Sequence, residues 1–340
     1  MLENPDYLSE STRVSGDPLS DALALVRARC VISRGFTAGG EWALRFHPPH
    51  RLKLHAASRG ACWLVLAGNE PLRLDEGDVV VSNGATSFVL ASDPAVTPRD
   101  ADGVFATDTT PILPLGGDEV LGIGGHVQMD HGGEELILAA LPAVTRIAAD
   151  APAAAELRRL LGRLLQEIST PRPGSKFAAD QHAQLVLVEV LRVILDAGDA
   201  PRAGWLRLLA DTNLRPALTL MHQQPAHPWR LQELARAASM SRSTFAAQFR
   251  AVSGEPPLAY LHRWRIRLAQ AALRDTDSTV AALAAELGYA SESSFSHAFT
   301  RTVGKSPRRY RSLHRRGPLR YPAPLPEPRA AAVTGAGELG

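Results

Sequence analysis

The sequence predicts an α+β multidomain chain: a β-sandwich or barrel first, then a helical connector, then an all-α C-terminal part built from a repeated two-helix unit. Three observations predict it. Short apolar runs with a period of two, broken by Gly, Asn and Asp, fill the chain from about Asp17 to Ile123. Apolar residues at helical spacing take over after Pro142. From Leu214 onward one apolar framework occurs twice, about fifty residues apart, and the charge changes sign.

The elements follow in order. Residues 1–15 are polar and read as a disordered tail. In the β-domain, residues 16–145, Trp42, Leu44 and Phe46 alternate with Ala43 and Arg45, and Leu52, Leu54 and Ala56 keep the same period. Cys62–Leu66, Val79–Val81 and Phe88–Leu90 are short apolar runs separated by turn residues at 68–69, 75–77 and 83–84. Residues 93–118, with Pro94, Pro98, Pro111 and Pro114, read as a long loop holding at most one strand. In the connector, 146–213, Leu157, Leu160, Leu161, Leu164, Leu165 and Ile168 share one helix face, and 178–196 repeats the pattern. That helix pair is too small to stand alone, so it packs on the sandwich or dimerises. Residues 214–316 are the C-terminal helical domain; the Pro/Gly/Ala-rich stretch 317–340 reads as a second disordered tail.

Composition narrows the function classes. The 340 residues, 45% of them apolar, have room for two domains and a small third. No apolar run approaches the roughly 20 residues of a membrane span. Residues 1–20 carry acids before any apolar stretch, unlike a secretory leader, so the expected location is the cytoplasm. Cys30 and Cys62 are too few for a disulfide framework or a zinc cluster and are expected to be reduced and buried.

The net charge of +2 conceals an asymmetry. Residues 1–214 carry 19 Lys/Arg against 27 Asp/Glu, a net of −8; residues 215–316 carry 16 against 6, a net of +10, and fifteen of the sixteen are arginine. A basic domain rich in arginine, beside an acidic one, points to a polyanion partner for the basic domain alone. Its repeat supplies the geometry. Leu231, Leu234, Ala235 and Ala238 recur 49 residues later as Val280, Leu283, Ala284 and Leu287. Phe245, Phe249, Gly254, Pro257 and Tyr260 recur 50 later as Phe295, Phe299, Gly304, Pro307 and Tyr310. In each copy an apolar helix ends in a tight turn, and Ser241 or Ser291 is placed to cap a second helix whose phenylalanines form its inward stripe. Two helices joined by a short turn, the second presented outward with short or polar side chains, form a helix-turn-helix that fits the major groove of duplex DNA. A helix over 257–274 joins the two units, with Arg263, Arg265 and Arg267 as a phosphate rail or a solvated face.

These residues carry a resemblance. Residues 229–311, including LQELARAASMSRSTFAAQFRAVSGEPPLAYL and the later run GYASESSFSHAFTRTVGKSPRRYR, resemble the DNA-binding domain of AraC/XylS-type transcription regulators. Residues 17–141 are similar to the cupin-type sensor domain of one branch, through Asp17-Pro18-Leu19, Cys62-Trp63-Leu64, Gly77-Asp78 before Val79–Val81, and Leu141-Pro142. The resemblance implies a sequence-specific regulator with double-stranded DNA as partner, a homodimer, a small-molecule effector at the cupin-like domain, and RNA polymerase as a candidate partner.

It also implies base contacts from Ser243, Ala246 and Ala247 in the first unit and from Glu292, Ser293 and His297 in the second. Ala246 and Ala247 depart from longer polar side chains and offer a base only a methyl contact. Arg242, Arg250 and Arg265 are expected on phosphates. Trp42, Phe46, Trp63 and Phe88 could line an effector pocket, although core packing is the favoured role for each. Cupins often hold a metal through strand histidines; His47, His50, His55, His126 and His131 are the candidates here. Phe88 stands where a second histidine motif is wanted, and no glutamate follows His55 at the required interval. The expectation is no metal, no cofactor and no enzymatic activity.

Overall fold

A computed structural model describes residues 16–47, 52–106, 110–130, 136–138, 141–170, 172–196 and 204–315. Both predicted tails, 1–15 and 317–340, lie outside the described residues. The first element is a helix, α1 (Pro18–Leu25), where the periodicity predicts strands. The Asp17 carboxylate accepts from the Leu19 and Ser20 amides, and Pro18 takes the first turn, where its missing N–H costs nothing.

Eleven described strands follow in two sheets. They are β1 (Arg29–Ala38), β2 (Ala43–Phe46), β3 (Lys53–Arg59), β4 (Cys62–Leu66), β5 (Leu72–Leu74), β6 (Val79–Ser82), β7 (Phe88–Ala91), β8 (Arg99–Asp100), β9 (Ile112–Leu115), β10 (Val120–Gln128) and β11 (Val144–Ile147). The larger sheet has the order β11-β6-β3-β10-β1-β9 and the smaller β5-β4-β7-β2-β8. The sheets face each other without closing into a barrel. The predicted loop at 93–118 holds more structure than expected: β8, a short helix α2 (Ala101–Ala106) and β9. Pro114 is tolerated because β9 is an edge strand, paired only with β1.

Alternation along β6 shows the layering. Val80 joins Phe36, Leu44, Leu64 and Phe88 between the sheets, whereas Val79 and Val81 turn to the opposite face. That face is covered by α3 (Ala155–Ser169) and α4 (Ser175–Asp196). The connector helices therefore pack on the sandwich. Cys30, on the helix-covered side of the larger sheet, and Cys62, on β4 of the smaller sheet and facing the space between the sheets, are free and buried, and burial pushes both thiols up to about 12, so neither is a thiolate at neutral pH.

The rest is helical: α5 (Trp205–Ala210), α6 (Arg215–Gln223), α7 (Leu231–Ala237), α8 (Arg242–Ser253), α9 (Pro257–Asp275), α10 (Val280–Glu286), α11 (Glu292–Val303) and α12 (Pro307–His314). The β-domain is docked on this part. α1 packs against α6 and α9, and the Trp205 indole donates to the Leu136 carbonyl. Arg27 pairs with Asp275 at 2.9 Å, Arg274 approaches Asp130 at 3.9 Å, and Arg274 also donates to the Leu25 carbonyl. At the same seam His222 is fully buried, stacked 3.8 Å from the Trp264 ring and bonded through Nε2 to the Tyr260 hydroxyl. Burial first, then the Arg267 charge, lowers its pKa to about 3, so its 3.9 Å approach to Asp21 is not an ion pair at neutral pH.

Candidate nucleic-acid interface and sensor cavity

The two helix-turn-helix units, α7–α8 and α10–α11, are built alike from their repeated residues. Phe245 packs 5.6 Å from Phe249, which meets Tyr260 edge-on at 5.8 Å; Phe295, Phe299 and Tyr310 repeat this at 5.7 and 5.5 Å. All four phenylalanines are fully buried and fix the roll of α8 and α11. The Ser241 hydroxyl accepts from the Thr244 amide, and Ser291 accepts from Ser294, which returns the bond to the Ser291 amide. Gly254 and Gly304 end the two helices with left-handed backbone, at φ 85° and 76°. The inter-helix turns also need a left-handed residue: Gly288 supplies it in the second unit (φ 75°), Ser239 in the first (φ 53°).

With the phenylalanines inward, helical geometry turns Ser243, Ala247 and Arg250 outward on α8 and Ser293, His297 and Thr300 outward on α11. All six are exposed, as are Arg242 and Glu292 at the helix starts; Ala246 is only half-exposed, on the flank. Glu292 lies 3.7 Å from Arg308 at the start of α12. The sequence reading overlooked Arg308 and Thr300, although the 50-residue repeat would have found Thr300 as the counterpart of Arg250. α9, 19 residues and so about 28 Å long, spans the distance between the units.

Arg265 is placed differently from the expectation. Its guanidinium donates to the carbonyls of Pro225 and His227, the latter at 2.9 Å, and lies 5.9 Å from the Tyr289 ring centre. The segment it pins presses on the second unit: a Cβ at Gly288 would fall inside the contact radius of the Ala226 carbonyl oxygen. Arg265 thus holds the loop before α7 against the turn of the second unit instead of facing outward, and desolvation lowers its pKa. Arg263 is paired with Glu255.

In the sensor domain a cavity of about 240 Å³ opens between the larger sheet, Phe46 and α2. Of the four pocket candidates only Phe46 lines it. Phe88 lies behind, stacked 5.1 Å from Phe46, and Trp42 is buried edge-on to Phe36. Trp63 is on the other face of β4, since Cys62 and Leu64 on either side of it point into the core between the sheets. The walls the sequence reading missed are Arg34, Lys53, His55, Asp102 and Phe105. The cavity exists because β10 carries Gly124 directly between Arg34 on β1 and His55 on β3. A Cβ at 124 would stand 3.3 Å from the His55 ring. Two strands flanking a glycine leave no pattern in a linear sequence.

Of the metal candidates, His50 and His131 lie outside the described residues. His47 is exposed and bonded to Ser87 at 3.0 Å, His126 is bonded to Ser33 at 2.9 Å, and His55 is buried between Phe46 and Phe88. Among the described residues no three His, Cys, Asp or Glu side chains converge as a metal would require. No described helix is long and apolar enough to cross a membrane.

Comparison with known proteins agrees with this architecture. Residues 17–196 match the family model described as Cupin, and residues 234–312 the one described as Helix-turn-helix domain. The cupin match thus includes α3 and α4. The chain is 41% identical over 297 residues to an AraC-like transcription regulator of Streptomyces lividans, covering 87% of this chain and 98% of that one. It is 29% identical to the HTH-type transcriptional regulator AlkR of Acinetobacter baylyi, over 80% of this chain and 91% of the relative. The solved DNA-binding domain of AdpA in complex with a target DNA aligns at 30% identity with 30% of this chain and 92% of that chain, at a TM-score of 0.29. Double helix-turn-helix geometry, a cupin-type β-domain and near full-length relatedness converge: the chain belongs to the AraC family of DNA-binding transcription regulators and carries a cupin N-terminal domain.

Proposed function

We propose that the protein is an effector-controlled regulator in which the two recognition helices divide the work. Ser293, His297 and Glu292 on α11 read base edges. On α8, Arg242 and Arg250 anchor phosphates, while Ser243, Ala246 and Ala247 make the close, weakly selective groove contacts. Arg265 is reassigned from phosphate contact to positioning the loop at 225–227. With α9 rigid between them, the units meet adjacent major-groove segments about 10 bp apart. The protein acts in the cytoplasm as a homodimer, meets RNA polymerase at the promoter, and has no enzymatic activity. Exposed Phe177 and Leu185 on α4 support a dimer contact through the sensor domain.

The observation that carries effector control is continuity between cavity and seam. β1 and β10 pair along their whole length and wall the cavity at Arg34 and Gly124. The same two strands run on to Arg27 and Asp130, which meet Asp275 and Arg274 at the end of α9. A ligand that favours one setting of this strand pair shifts the population of docked and undocked domains, and with it the reach of the DNA-binding units. The test is duplex binding by the full chain at several salt concentrations. Log affinity should fall steeply with log salt, by about 0.9 for each phosphate neutralised. A flat response contradicts the reading.

A further inference from the structure

We propose that Arg308, at the start of α12, is the residue through which the second unit brings a carboxylate to DNA: it anchors a phosphate at the edge of the groove and holds Glu292 in position to read a base. The proposal rests on the base-reading role given to Glu292 above and adds the residue on which that role depends.

The repeat supplies the first observation. In the first unit the cations lie on the recognition helix. α8 carries Arg242 and Arg250 and no acid, while the segment after it, residues 255–259, carries Glu255 and no cation. In the second unit the arrangement is reversed. α11 carries Glu292 against Arg301, while the matching segment, residues 305–309, carries Lys305, Arg308 and Arg309 and no acid. At two matched positions the exchange is direct: Glu292 stands where the first unit has Arg242, and Arg308 where it has Leu258. Leu258 and Arg308 are both exposed, so this position faces outward in either copy. The cation has moved from the recognition helix to the helix that follows it.

Geometry supplies the second. The Arg308 guanidinium lies 3.7 Å from the Glu292 carboxylate. Both ends of the pair are fixed by the core. Glu292 is the first residue of α11, directly after the Ser291 cap. α12 is locked to α11 by buried Pro307 and by Tyr310, which meets Phe299 edge-on at 5.5 Å. The Arg308 side chain is 85% exposed, so the donors that Glu292 does not take face solvent. The first residues of a recognition helix meet base edges. A cation beside them, carried by the next helix, then stands at the groove wall, where the phosphates are.

Electrostatics supplies the third. A carboxylate entering the groove approaches a surface with one negative charge for roughly every 1.7 Å of duplex. Without a counter-charge, that repulsion offsets the bond Glu292 can accept from cytosine N4. One arginine meets both needs. Its planar guanidinium has five donors, so one edge can hold a carboxylate while another holds a phosphate. A lysine would supply the charge but not the fork. Charge and orientation are therefore separable by substitution.

The experiment is selection of bound sequences from randomised duplexes, followed by affinity against salt on the selected sequence. It uses the full chain as wild type, Arg308→Ala, Arg308→Lys, Glu292→Ala and the double variant Glu292→Ala with Arg308→Ala. Arg308→Ala should lower the salt slope by about 0.9, the contribution of one phosphate. It should also weaken the preference at the base pair that Glu292→Ala changes, by on the order of tenfold. Arg308→Lys should recover the slope but not the preference. In the double variant the slope should fall while the motif stays that of Glu292→Ala. An unchanged slope in Arg308→Ala overturns the proposal. So does a wild-type motif from Arg308→Ala where Glu292→Ala gives an altered one, and that result leaves base reading by Glu292 intact. A motif altered by Arg308→Ala at a different base pair overturns it as well, because Arg308 would then read a base itself. A wild-type motif from Glu292→Ala removes the base-reading role, and the proposal with it.

Discussion

The two helix-turn-helix units share a core but differ on their surfaces and in their attachments. At the first outward position α8 has Arg242 where α11 has Glu292; one turn on, Ala247 stands where α11 has His297; at the third, Arg250 stands where α11 has Thr300. The first unit is tied to the rest of the molecule. Gln248 bonds Asp211 at 3.3 Å, and the Gly204 amide donates to the Val252 carbonyl. The second unit is held by α9, α12 and the loop that Arg265 pins. A repeated fold therefore does not imply a repeated task. In the division of labour proposed above, the unit tied to α5 carries the cations and small side chains for phosphate anchoring, and the other carries the groups that distinguish bases.

The largest expected effect lies in the turns. Gly288→Ala forces a left-handed Cβ against the Ala226 carbonyl and should destabilise the chain by about 2–4 kcal/mol. Ser239→Gly, at the matching turn, should instead stabilise by up to about 1 kcal/mol, because it relieves a left-handed non-glycine backbone. Denaturant unfolding of the two variants checks the contrast; effects of the same sign at both turns would contradict it.

Next in size is the seam. Asp275→Asn breaks the contact with Arg27, and because Asp275 is nearly buried while Arg27 is a third exposed, the expected loss is about 1–2 kcal/mol. It should also raise protease sensitivity between the β-domain and the helices. The same seam gives a pH dependence. His222 is neutral when folded, with its pKa at about 3, whereas an unfolded histidine takes a proton below about 6.5. The unfolded state then binds more protons, so stability is complete above that pH and falls as pH drops toward 3, by roughly 1 kcal/mol per pH unit. Denaturant unfolding at pH 7, 6 and 5 should show this slope, and His222→Gln should reduce it. His55 adds a second such contribution.

The smallest effects are the caps. Ser241→Ala and Ser291→Ala should each cost about 1 kcal/mol, with Ser291 the larger because Ser294 returns its bond. Thermal unfolding that ranks them the other way would mean that the reciprocal bond adds nothing.

Much of the helical half was legible in the sequence because its signals are local: a phenylalanine pair four apart, a serine before a helix, a glycine after it. The repeat doubled each of them. The sensor domain was read only in outline. α1 was missed because eight residues are too few for a periodicity to declare itself, although Asp17-Pro18 is a capping signal. The cavity was missed because pairing across three strands decides which side chains share a wall, and its defining residue, Gly124, acts by having none. Trp42 and Phe88 follow the alternation correctly but serve the core, since large aromatic rings fill the space between sheets first. Arg265 illustrates a further gap: on a helix of mixed exposure, an arginine that faces phosphate and one that clamps a loop read identically.

The division of labour between the units is tested most directly by selecting bound sequences from randomised duplexes with wild type, Glu292→Ala, His297→Ala, Arg242→Ala and Arg250→Ala. The α11 variants should return an altered motif, with about 1–3 kcal/mol of discrimination lost at the affected base pairs. The α8 variants should return the wild-type motif with uniformly weaker binding and a salt slope lowered by about one unit each. The wild-type motif from both α11 variants, or an altered motif from the α8 variants alone, would contradict the account and move sequence reading to the first unit.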